Sequence, residues 1–251
     1  NMYYVVYFVI GLFFGSFFNV VGTRGPIKEN YLTSRSHCDY CLHDLNWYEL
    51  IPIFSYVFQK GRCNYCHKKI DKAHIGYELF TAILFMTGYY LYGNTLTCLE
   101  YLTLSSMLVL IFVSDFKYMV ILDSYLIVLT IIYSVLLIIN YGLDFFFVRL
   151  LTGLSLFVTV LIVKLLFDYI FKRESLGGGD VKLSFFMGLV LGYPLGLTAF
   201  MLSSFLALPY ATLSLYLNKK NELPFGPFLI SATYLVFIFS DKFSLVLEYL
   251  F

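Results

Sequence analysis

Long apolar runs broken by short polar segments dominate the chain, and the runs are hydrophobic on all sides rather than striped at helical or strand spacing. A helix needs about 20 mostly apolar residues to cross the hydrocarbon of a bilayer. On that measure spans fall near 3–22, 75–93, 97–114, 122–140, 149–171, 181–193, 195–217 and 225–241, about eight crossings. The sixth is short and carries Gly188 and Gly192, which suits a tilted or broken helix, or one merged with its neighbour. The first run lacks the basic start of a signal peptide, and its Gly11, Gly15 and Ser16 suit close helix packing, so it reads as a retained span.

One segment breaks the pattern. Between the first two spans lie about fifty polar residues holding the single Trp and four of the five cysteines, as Cys38-Asp-Tyr-Cys41 and Cys63-Asn-Tyr-Cys66. Two such pairs have the spacing of a zinc ribbon, in which four thiolates close a tetrahedron around a structural Zn²⁺. The metal then holds together a segment too small to build its own core. Two disulfides are the alternative, and His37, His43, His67 and His74 lie close enough in sequence to replace a thiolate. Cys98 reads as packing.

Composition supports a bilayer as solvent: of 251 residues, 60% are hydrophobic and 13% charged, more apolar surface than a soluble domain of this size can hide. Net charge is only +1, but its placement is asymmetric. Eight basic residues between Arg24 and Lys72, then Lys117, Lys172, Arg173, Lys182, Lys219 and Lys220, all fall on one side of the expected bundle. By the positive-inside rule that side is cytoplasmic and the N-terminus lies outside. Thiols stay reduced in the cytoplasm, which favours zinc over disulfides. The expected fold class is an all-α polytopic membrane protein with a small cytoplasmic zinc-ribbon-like domain. The expected divisions are a first transmembrane helix over 1–22, a zinc-binding domain over 23–74 and a transmembrane domain over 75–251.

Ionisable groups at membrane depth are costly, so each is a functional candidate. Five are weighed: Glu78, Asp115, Asp123, Asp168 and Asp180. Asp115 ends the third span and Asp180 follows Gly177-Gly178-Gly179, which places both at the same depth on the same side. Two neighbouring carboxylates cannot both ionise easily; one keeps its proton, which suits a general acid and a general base around one water. That arrangement hydrolyses a peptide without a covalent intermediate. Gly177 and Gly179 allow the backbone to run close to an extended substrate, and Lys182 is placed to bias the shared proton or cap a helix. The plain alternative for Asp115 and Asp180 is an interfacial helix cap. Asp123 reads as a cap, Asp168 as an ion-pair partner of Lys164, and Glu78 as a helix-start carboxylate.

Six segments, in chain order, carry a resemblance: Gly15-Ser-Phe-Phe-Asn-Val-Val21, Arg35-Ser-His-Cys38, Trp47-Tyr-Glu-Leu-Ile-Pro52, Gly61-Arg-Cys-Asn-Tyr-Cys66, Gly177-Gly-Gly-Asp-Val-Lys-Leu183 and Pro224-Phe-Gly-Pro-Phe228. Together they resemble the bacterial type IV prepilin peptidases over nearly the whole chain. The Gly-x-Gly-Asp signature is shared with presenilin-like intramembrane aspartyl proteases. The resemblance implies that Asp115 and Asp180 are catalytic and that the leader of a prepilin or pseudopilin is cleaved at the cytoplasmic face of the bacterial cytoplasmic membrane. It further implies, for many members with the four-cysteine domain, methylation of the new N-terminus with S-adenosylmethionine, for which Glu78 is the candidate residue. Expected partners are those precursors and membrane lipid, with no nucleic acid. Three positions depart from the family pattern: Leu122 before Asp123, and Tyr77 before Glu78, where proline is usual, and Gly25, where a bulky residue is usual. A peptidase whose zinc domain only docks substrate is the second reading. A transporter with buried carboxylates is the third, and it requires internal repeats among the spans, of which none is evident.

Overall fold

A computed structural model describes residues 2–29, 35–217 and 223–250. Lys219 and Lys220 of the charge count lie outside the described residues. Among the described residues there is no strand, only two isolated bridges, and the secondary structure is helical. The chain divides into two compact units, Asn1–Val113 and Ser114–Phe251, each described by itself.

In the first unit, α1 (Met2–Arg24) and α3 (Ala73–Tyr92) form an antiparallel pair. The sequence makes the pairing close. A Cβ on Gly11 would stand 2.6 Å from the Ala82 Cα, and one on Gly15 would stand 2.8 Å from the Glu78 Cα. One turn further on, the Asn19 amide meets the His74 ring. Contacts at 11, 15 and 19 against 82, 78 and 74 repeat every fourth residue, the register of two helices packed through small residues. The close packing expected from Gly11, Gly15 and Ser16 is therefore present. Between the two helices lie a 3₁₀ turn (Trp47–Leu50) and the short α2 (Phe54–Phe58), neither foreseen from the sequence. The helix α4 (Leu96–Tyr118) comes next, with Tyr101 filling the gap beside Gly88.

The second unit begins near the end of α4 and contains α5 (Asp123–Tyr141), α6 (Leu143–Phe171), α7 (Gly178–Leu191), α8 (Tyr193–Tyr216), α9 (Gly226–Ile238) and α10 (Ser240–Leu250). Glycines bring α6, α7 and α8 together: a Cβ on Gly188 would meet the Gly153 Cα at 2.8 Å, and Gly196 faces Gly188 from the other side. The Thr152 hydroxyl adds a bond to the Gly188 carbonyl at 3.0 Å. Only Gly192, at φ +83°, separates α7 from α8, a conformation that favours glycine.

Each of the eight expected spans corresponds to a helix, with α6 starting six residues before the expected 149. Among the described residues five helices are long and apolar enough to cross a bilayer, α1, α4, α5, α6 and α8, and a sixth span arises if α9 and α10, bent by 86°, count as one. The sixth expected span is the fourteen-residue α7. At 1.5 Å per residue it rises roughly 20 Å, short of the roughly 30 Å of hydrocarbon.

Candidate functional site

Asp115 lies one turn from the end of α4, Asp180 in the first turn of α7, and Gly226 begins α9. These three helix ends meet. Asp115 is 5% exposed and Asp180 8%, and the Asp115 carboxylate acts electrostatically on Asp180. The Gly226 N–H donates to the Asp115 carboxylate at 3.1 Å. That donor is one of the unpaired amides of a helix start, where the macrodipole also favours an anion. The Asp180 carboxylate lies close over Gly177, the residue capping α7, and the backbone of Gly177 acts on it.

The glycine run is not uniform. A Cβ on Gly177 would lie 3.0 Å from the Asp180 carboxylate oxygen, and one on Gly179 would lie 3.0 Å from the Ile121 Cβ, whereas one on Gly178 would meet nothing within 4 Å. Tight packing against the carboxylate and against the loop before α5 thus favours glycine at the first and third positions and leaves the second free. That is the physical content of Gly-x-Gly-Asp in this chain.

Two polar networks fix the approaches to the pair. The buried Tyr125 hydroxyl bonds Ser114 Oγ at 2.6 Å and accepts the Leu122 N–H at 3.2 Å, closing the loop after Asp115. On the other side, Asp168 accepts the Ser175 N–H and hydroxyl at 2.6 and 2.7 Å, and Lys164 reaches Asp168 and the Leu176 carbonyl. The expected Lys164–Asp168 ion pair is present, and the same Lys164 acts electrostatically on Asp180. Lys182 points to Asp123, with N···O distances of 2.7 and 2.8 Å, and both side chains are about half exposed. Sequence reading did not assign Gly226, Lys164 or Tyr125 to the site. The Pro-Phe-Gly-Pro-Phe motif was the one signal available for Gly226. Glu100, also outside the five weighed carboxylates, is 2% exposed.

In the first unit the four cysteines come together, with Sγ atoms all within 4.8 Å of one another. Cys38–Cys66 is 3.8 Å and Cys41–Cys63 is 4.0 Å. Zn–S bonds of about 2.3 Å in a tetrahedron require sulfurs about 3.8 Å apart, so the four residues fit a zinc ion. The distances also exclude disulfides, whose sulfurs stand about 2.05 Å apart. The two halves of the site are copies of each other. Leu42 N–H bonds the Cys38 carbonyl as His67 N–H bonds that of Cys63, and Cys38 N–H bonds His43 as Cys63 N–H bonds Lys68. Leu42 and His67 share φ near +56°, and the bridges His37–Asp44 and Arg62–Lys69 fall at the same offset. Burial pushes the Cys63 thiol up, but backbone N–H groups of Cys66 and Tyr65 and the neighbouring thiols outweigh it and leave it lowered, at about 7. Of the four histidines, His37 faces Glu29, His43 packs on Tyr65 and His74 meets Asn19.

Glu78 is 8% exposed and its carboxylate accepts the Ile53 N–H at 2.8 Å, which ties the polar segment to α3.

The bundle and its buried pair define a polytopic membrane protein with two coupled aspartates at converging helix ends. Comparison with known proteins goes further. Residues 9–92 match the Bacterial Peptidase A24 N-terminal domain and residues 102–212 the Type IV leader peptidase family. A prepilin leader peptidase/N-methyltransferase of Bacillus subtilis is 30% identical over 240 residues, covering 94% of each chain. One from Vibrio cholerae is 29% identical over 255 residues, covering 94% of this chain and 96% of its own. One from Myxococcus xanthus is 32% identical over 190 residues, 76% of this chain and 56% of its own. No solved structure matches the chain. This chain belongs to the type IV leader peptidase family.

Proposed function

We propose that the protein is a multi-pass membrane endopeptidase that removes leader peptides from type IV prepilins or pseudopilins at the cytoplasmic face, with Asp115 and Asp180 as its catalytic pair. The observation that carries this reading is the burial of both carboxylates at three meeting helix ends, with Asp115 anchored by the Gly226 N–H and Asp180 seated over Gly177. The Gly226 amide engages one Asp115 oxygen and leaves the other for a water. In the reaction, one aspartate in its ionised form takes a proton from that water as the oxygen attacks the scissile carbonyl. The other, protonated, gives its proton to the carbonyl oxygen. Collapse of the tetrahedral intermediate then expels the amine, which takes up a proton, and the pair returns to its singly protonated state.

Zinc, held by Cys38, Cys41, Cys63 and Cys66, has all four positions filled by thiolate and so supplies folding energy rather than chemistry. Methylation of the new N-terminus with S-adenosylmethionine is the second half of the relatives' names and stands as an activity to assay. Glu78, whose carboxylate accepts the Ile53 N–H, is the candidate residue to vary in that assay.

The test is cleavage of a pilin-like precursor by the purified protein in detergent, comparing wild type with Asp115→Asn and Asp180→Asn. Both variants should fall by about 10²- to 10⁴-fold, the usual contribution of a positioned acid or base, while remaining folded and zinc-loaded. Cleavage that persists in both would remove the aspartate mechanism.

A further inference from the structure

The polar segment between α1 and α3 does not simply extend away from the membrane. Ile53 donates its N–H to Glu78, and Glu78 packs against Gly15 and Ser16. Gly15 lies nine residues inside the Arg24 end of α1, and Glu78 five residues inside the Ala73 end of α3. At 1.5 Å per residue these are roughly 13 and 8 Å; the Glu78 side chain leans back toward the Ala73 end of α3, so the chain at Ile53 folds back against the helix ends. The turn that does this is strained: Ile53, a β-branched residue, sits at φ +62° and ψ −52°, with the Phe54 N–H bonded to the Pro52 carbonyl at 2.6 Å. A buried carboxylate holds a costly turn in place.

Beyond the turn lies an apolar face that is exposed among the described residues. In α2, Phe54, Val57 and Phe58 occupy i, i+3 and i+4, one side of the helix, and are 60%, 63% and 82% exposed. Tyr48 and Phe58 line one shallow hollow of about 280 Å³, and Tyr48 carries Trp47, ring centroids 5.9 Å apart, itself 77% exposed. Exposed Lys60 and Arg62 come immediately after. Aromatic side chains flanked by basic ones are the composition of a membrane–water interface.

We propose that Trp47, Tyr48, Phe54, Val57 and Phe58 seat in the headgroup and upper acyl region of the bilayer, so that the zinc-binding segment lies on the membrane rather than standing off it. Lys60 and Arg62 then meet lipid phosphates. The segment is pinned at both levels, to α1 and α3 through Glu78 and to the lipid through α2. The inference rests on the membrane-spanning reading and not on the proposed cleavage.

Trp47 is the only tryptophan in the chain, so its fluorescence reads this segment alone. The full-length, zinc-loaded protein is placed in nanodiscs of phosphatidylcholine, either plain or brominated high on the acyl chains. A second protein, Trp47→Phe with Phe58→Trp, moves the reporter onto α2. The expected result is that bromolipid quenches both reporters by roughly half or more, as for an interfacial indole, and that aqueous iodide quenches them weakly. Phe54→Ser with Val57→Ser should release the Trp47 reporter from bromolipid while zinc content stays unchanged. Emission quenched by iodide and indifferent to bromolipid would overturn the proposal. So would emission that responds only when a peptide carrying a pilin-like apolar helix is added, an outcome that gives the face to substrate instead.

Discussion

Gly179 packs on Ile121 so closely that a Cβ at 179 would stand 3.0 Å from the Ile121 Cβ, whereas Gly178 beside it faces open space. Gly178→Ala should therefore leave cleavage near wild type. Gly179→Ala should cost about 1–3 kcal/mol of strain and reduce cleavage by displacing Asp180. Adding Ile121→Gly, which removes the opposing Cβ, should restore much of the loss. A double-mutant cycle on precursor cleavage measures the coupling, and additive losses would show that the contact is not the cause.

The Tyr125 hydroxyl serves two partners at once, the buried Ser114 and the half-buried Leu122, on either side of the loop after Asp115. Tyr125→Phe leaves both unpaired at a cost of about 1–3 kcal/mol. Lower thermal stability and a reduced kcat with KM little changed are expected, because the residue positions Asp115 and does not touch substrate. Steady-state cleavage over a range of precursor concentrations separates the two constants.

Removing the metal should unfold the segment that holds it. Structural zinc in small domains contributes roughly 10–16 kcal/mol, more than this segment can replace with the few buried side chains it has. One zinc per chain is expected by elemental analysis. Cys63→Ser or a strong chelator should abolish it and expose residues 35–70 to proteolysis. Retained zinc in Cys63→Ser would assign the metal elsewhere.

Lys182 and Asp123 form an ion pair whose side chains are 52% and 56% exposed, the kind whose contribution in solvent is small, about 0–1 kcal/mol. Lys182→Ala should cleave within about threefold of wild type, the rate equivalent of that range at its middle. A loss comparable to that of Asp180→Asn would place the ammonium at the reacting groups instead.

How much of this could be read along the chain depended on whether the signal was local. The long helices were legible because an apolar run of twenty residues admits one solution in lipid, and the clustering of four thiols because two Cys-x-x-Cys pairs carry their own geometry. The close pairing of α1 with α3 was visible in Gly11 and Gly15, since small residues at that spacing have one common use in membranes. Asp115 and Asp180 were singled out by the cost of a carboxylate at depth. Lys164 was read only as the neighbour of Asp168, because its second role, toward Leu176 and Asp180, joins α6 to a loop that helical spacing does not reach.

By itself the sequence determined where the long apolar helices lie, which four thiols cluster and which carboxylates are exceptional, because burial cost and ligand spacing act within a few residues. Only the tertiary structure decided that the first amide of α9 meets Asp115, that Ile121 crowds Gly179 while Gly178 is free, that a 3₁₀ turn and α2 form between α1 and α3, and that Glu78 ties Ile53 to α3. The contacts among these join residues 25 to 111 positions apart, and no pattern of hydrophobic and polar positions encodes which helix ends will meet. That is settled by packing, when small residues let some helices approach and buried polar groups find the partners they require.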